Sequence, residues 1–142
     1  METVAAVAAL LGTGYHARMV DKDEAGTPDL KIVPANVRDC RVLTLRGRLT
    51  TDACEVFRAA AVDEIQKGAR KLIVDISNLD TMSSCGIGTL VWIDDDARKS
   101  KCHMQLVNSN AHIERVMALT GLDRQFRISK TVDEATGHKN DD

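Results

Sequence analysis

KLIVDISNLDTMSSCGIGTLVW, from Lys71 to Trp92, is the stretch whose reading decides the fold. Lys71 to Ser77 is short and almost continuously apolar, as in a central strand covered on both faces. NLDTMSSCG then reads as a loop, and a helix is expected from about Ser84 to Lys101. A buried strand feeding a helix is half of a βαβ unit, so the neighbouring segments should alternate in the same way.

They do. Upstream, Arg41 to Gly47 (RVLTLRG) alternates Val42 and Thr44 against Leu43 and Leu45, a strand pattern. The helix after it carries Val56, Phe57, Ala60, Ala61 and Ile65 as its apolar stripe. Asp52 followed by Glu55 gives it a start resembling a capping box, and Gly68 gives it a stop. Leu30, Ile32 and Val33 suggest a first strand ended by Pro34. Downstream, Met104–Val107 reads as a strand. A third helix opens after Asn110 as N-cap and closes at Gly121, with Ile113, Val116, Met117 and Leu119 facing inward. FRIS from Phe126 reads as an edge strand, and TVDEATGHKNDD as one turn with a frayed end. The fold class is α/β, with helices on a mixed, mostly parallel β-sheet.

At the N-terminus, Val4, Val7, Ala8 and Leu11 sit at helical spacing, with Gly12 and Gly14 as stops. Asp21 to Pro28 has the composition of a linker. The expected organisation is an extension at 1–26, a domain at 27–136 and a tail at 137–142.

Composition excludes several functions. Of 142 residues, 44% are hydrophobic but only 3% aromatic, so the core is aliphatic and base-stacking platforms are scarce. The net charge of −2 comes without a basic stripe, which argues against a nucleic-acid partner. The apolar run Val4–Leu11 is far too short to span a membrane and follows Glu2 rather than a basic segment. A cytoplasmic protein is expected. Cys40, Cys54, Cys85 and Cys102 show no C-x-x-C spacing, so reduced thiols are expected rather than a metal site.

The chemistry concentrates at Asp75–Gly88. Two serines and a Gly-x-Gly open a helix straight after a buried strand. The unsatisfied N–H groups and dipole of that helix start favour negative charge, so a phosphate on Ser84 would be tolerated there. Gly86 and Gly88 should leave room for another protein to approach. The residues alone leave Ser84 as either a helix N-cap or a regulated hydroxyl. A dinucleotide fingerprint fails, because Val91 stands where its third glycine belongs. A nucleophile elbow fails at Met82. His103 and His112 have no catalytic context, and Asp94–Asp95–Asp96 reads as a solvated face with Asp94–Arg98 and Asp95–Lys99 pairs. Trp92 is expected to be partly buried.

LTLRGRLTTDACEVFRAAA, the Lys71–Trp92 segment and MQLVNSNAHIERVMALTGLDRQFRI together resemble the STAS family, specifically the bacterial anti-sigma-factor antagonists, over about Leu30 to Ala135. The resemblance implies a helical face on a mixed sheet and a binding protein rather than an enzyme, needing no cofactor. It implies an anti-sigma factor that is also a serine kinase as partner, and a phosphatase that resets the switch. The family's phosphorylated serine aligns with Ser84, and Ser83 replaces the usual preceding acid and is the second candidate acceptor. Ser83, Ser84, Cys85, Gly86 and Ile87 form the implied docking patch. The alternatives are a constitutive STAS subunit of a lipid-transporter or stress-signalling complex, and a nucleotide-binding STAS protein.

Overall fold

The computed structural model describes residues 25–26 and 29–137, so the expected N-terminal helix and the last residues of the tail lie outside the described residues. Among the described residues six strands form one sheet in chain order: β1 (Ala25–Gly26), β2 (Leu30–Val37), β3 (Cys40–Leu49), β4 (Lys71–Met82), β5 (His103–Val107) and β6 (Ile128–Ser129). The pairings β1–β2 and β2–β3 are antiparallel, and the three that follow are parallel. Among the described residues the helices are α1 (Thr51–Gln66), α2 (Ser84–Lys99), α3 (Ala111–Thr120), α4 (Leu122–Gln125) and α5 (Val132–Gly137).

Helices α1 to α4 cover one face. Leu43, Leu45, Leu72, Val74, Ile76 and Leu106 of the sheet join Phe57, Leu90, Ile93, Ile113 and Met117 in the main core. On the other face, Ile73, Val42 and Val107 lie under Ala135 of α5. The central position of β4 is therefore as its apolar run predicts, and all five stripe residues of α1 are buried.

Several details differ from the sequence reading. β2 continues through Pro34 to Val37. Among the described residues β1 covers β2 only at Lys31 and Ile32, so there Pro34 lies on an edge, where a missing N–H is tolerated. β4 runs on through Asn78, Leu79 and Asp80 to Met82, absorbing most of the expected loop. The N-cap of α1 is Thr50, whose hydroxyl accepts from the Ala53 amide, and not Asp52. α2 ends at Lys99. Leu119 is 82% exposed: Ile113 and Met117 stand one turn apart on the inner face, and Leu119 falls on the other side of the helix.

The β3–β4 ladder shifts register between Gly47 and Arg48. Gly47 has a φ of 107°, and a Cβ there would stand 2.2 Å from the Asp29 carbonyl oxygen. Only glycine fits at position 47, and the shift, which leaves Asp80 of β4 as the extra residue, brings Leu49 opposite Met82 at the ends of the two strands.

Candidate functional site

β3 and β4 end side by side, and each turns at once into a helix, so α1 and α2 start next to each other. Ser83 makes the junction. Its amide and its hydroxyl both donate to the Leu49 carbonyl, at 3.2 and 3.0 Å, and its Oγ accepts from the Gly86 amide at 3.2 Å. Ser83 is thus the N-cap of α2 and a tie to β3. The cap, one of the two roles left open for Ser84, lies one residue earlier.

Ser84 is left as the first helical residue. It is exposed, and among the described residues its hydroxyl has no hydrogen-bond partner. The unsatisfied amides of the helix start surround it. Cys85 is half-buried and faces α1, and Ile87 is half-buried against the core. Gly86 turns inward: a Cβ would come within 2.8 Å of Leu49 Cδ2 and 2.9 Å of Met82 Cγ. Of the two glycines expected to keep the surface open, only Gly88 does so, being exposed with nothing near its missing side chain.

Ser84, Gly88 and Trp92 recur every four residues and form one exposed stripe on α2. Trp92 is 44% exposed, more than the sequence led us to expect, and the Arg58 guanidinium of α1 lies 5.2 Å from its ring centroid. Between the two helices runs an open groove of about 430 Å³, lined by Thr51, Cys54, Arg58, Cys85, Gly88 and Trp92. The part α1 plays was missed, because nothing in the α1 sequence announces that its outer edge meets α2. A larger cavity of about 580 Å³ opens at the opposite end of the sheet beside His103 and Arg127, away from the serines.

Asp94 corrects the acidic-run reading. It is buried on the inner stripe with Leu90, Ile93 and Ala97, and binds Arg98 at 2.8 Å, whereas the Asp95–Lys99 pair is on the surface. His103 and His112 are both exposed. All four cysteines are free. Among the described residues, no three His, Cys, Asp or Glu side chains converge on a point, and no helix is long and apolar enough to cross a membrane.

Residues 31–135, spanning β2 to α5, match the STAS domain. The chain belongs to the STAS family. A Thermotoga maritima protein named as a putative anti-sigma factor antagonist is 31% identical over 100 residues, which is 70% of this chain and 88% of that protein. The crystal structure of an anti-sigma factor antagonist from Mycobacterium paratuberculosis superposes with a TM-score of 0.70 at 21% identity, covering 78% of this chain and 94% of the other. The antagonist SpoIIAA in its unphosphorylated form gives 0.63 at 23% identity, covering 77% and 99%. A phosphorylated form of SpoIIAA gives 0.58, at 24% identity and covering 73% and 95%. The mixed sheet with its helical face is the STAS fold, and this STAS protein is similar to anti-sigma-factor antagonists.

Proposed function

We propose that this STAS protein is a partner-switching regulator that docks an anti-sigma factor through the α1–α2 face and is released when Ser84 is phosphorylated. The observation that carries the reading is the division of labour between the serines. Ser83 is occupied in capping α2 and holding β3, while the Ser84 hydroxyl is exposed and unpartnered beside an open groove. Ser84, Cys85, Gly88 and Trp92 supply the docking surface, Ile87 backs it, and Gly86 lets α2 sit down on β3 and β4. The kinase is the anti-sigma factor itself, and a phosphatase reverses the step. The chain is cytoplasmic and does no catalysis of its own.

A phosphate on Ser84 adds a charge of about −1.5 to −2. At the end of α2 that charge meets favourable dipoles within the domain, yet in a docked interface it must be desolvated. Release follows from the difference. In an assay with the cognate anti-sigma kinase and ATP, Ser84→Ala should bind normally and take up no phosphate. Ser84→Glu should bind at least tenfold more weakly and fold normally. Ser83→Ala should still be phosphorylated, on a domain destabilised by about 1–2 kcal/mol through loss of its cap. Phosphate on Ser83, or equal affinity of the wild-type, alanine and glutamate forms, would sink the proposal.

A further inference from the structure

Two of the four cysteines meet at the docking face. Cys54 lies in the first turn of α1 and Cys85 in the first turn of α2. Both line the groove between the helices, Cys54 buried at its floor and Cys85 half-exposed above it. Cys85 is close enough to act on the Cys54 proton, while the Thr89 hydroxyl donates to the Cys85 carbonyl at 2.8 Å and the Ser83 hydroxyl to the Leu49 carbonyl at 3.0 Å. Cys40 and Cys102 are buried and line no part of this groove.

We propose that Cys54 and Cys85 are a modification site for hydroperoxides, closing reversibly into a disulfide that ties α1 to α2. The half-exposed sulfur is the one an oxidant reaches first. The Cys85 thiolate attacks hydrogen peroxide; the O–O bond breaks, an S–O bond forms, and hydroxide leaves with a proton as water. Cys54, as thiolate, then attacks the Cys85 sulfenic acid. The S–S bond forms, the S–O bond breaks, and the departing hydroxide takes up the proton that Cys54 gave up. Two thiols and one peroxide yield one disulfide and two waters.

The surroundings set the pace of the second step. Burial, helped by the neighbouring Cys85 sulfur that favours the protonated form, pushes the Cys54 thiol up to about 11, so little of it is thiolate near neutrality. The sulfenic acid at Cys85 should therefore persist long enough to be trapped at neutral pH, and closure should quicken as pH rises. Any effect on partner binding rests on the reading of this face as a docking surface; the crosslink itself does not.

The full-length protein treated with hydrogen peroxide and digested with trypsin tests this by mass spectrometry. A linked pair of peptides, residues 49–58 joined to residues 72–98, with the loss of two hydrogens and its reversal by dithiothreitol, is the expected result. Cys54→Ala should stop at a sulfenic acid on Cys85 that dimedone captures, and Cys85→Ser should yield neither product. A link through Cys40 or Cys102, a disulfide between two chains, overoxidation of Cys85 without a link, or unchanged thiols would each overturn the proposal. Because the readout needs no partner and no phosphate, its failure is distinct from failure of the Ser84 switch.

Discussion

At the scale of single residues, Gly86 and Gly88 look alike in the sequence and behave oppositely in the fold. Gly86 is pressed against Leu49 and Met82, whereas Gly88 faces open space between Ser84 and Trp92. Both are helical, so alanine should gain roughly 1 kcal/mol of helix propensity at either site. At Gly86 that gain is outweighed, because an added methyl inside 3 Å of two side chains forces repacking at a cost of about 1–3 kcal/mol. Gly88→Ala should raise the urea midpoint and Gly86→Ala should lower it. If the stripe is the docking surface, Gly88→Ala should also weaken partner binding despite the more stable fold. No sequence rule separates the two glycines. The distinction is set by which side of α2 meets β3 and β4, and the same geometry puts the cap at Ser83 and leaves Ser84 free of that role.

Between elements, the strongest polar tie joins α1 to β3. Arg41 grips Glu64 with two parallel bonds, Nε to Oε1 at 2.7 Å and Nη2 to Oε2 at 2.9 Å. Glu64 is 1% exposed, and its carboxylate holds the Arg41 proton more firmly than usual. Arg41 still reaches solvent. Removing the arginine should therefore hurt more than removing the glutamate, since it strands a buried carboxylate. We expect Arg41→Met to cost about 3–5 kcal/mol and Glu64→Leu clearly less, with the double substitution recovering most of the loss. Chemical denaturation of the three variants as a mutant cycle measures this. The pair was invisible beforehand: Glu64 lies in a helix pattern whose apolar stripe was already complete without it, and only the packing of α1 on β3 reveals its partner. What periodicity did convey was the α1 stripe, the alternation of β3 and the Asn110 cap, all of which depend on local spacing. β4 looked shorter than it is because Ser77, Asn78, Asp80 and Thr81 are polar, although Leu79 and Met82 among them are buried in the main core.

The molecule as a whole hides three thiols, Cys40, Cys54 and Cys102, and burial raises all of them above their ordinary range. An unfolded chain releases those protons near pH ~9, while the folded protein keeps the Cys54 proton up to about 11. Below pH ~9 both states are protonated and the thiols contribute nothing to pH dependence. Between about 9 and 11 the unfolded state binds fewer protons, so stability should fall as pH rises. Urea midpoints measured across that window should drop more for the wild type than for Cys54→Ala. A parallel drop in both would show that Cys54 has no part in it.

If Ser84 is the acceptor proposed above, Ser83 also decides how the kinase meets it. The serine's two bonds to the Leu49 carbonyl and its grip on the Gly86 amide fix the backbone on both sides of Ser84. A hydroxyl held this way cannot be drawn out as an extended strand and threaded into a catalytic cleft. On the proposed reading, the kinase must approach a preformed surface and read its shape, as one rigid body against another. A free peptide covering Ser77 to Val91 would therefore be a poor substrate even though it contains every residue around the acceptor. Unfolding the domain would also protect Ser84 from this enzyme instead of exposing it.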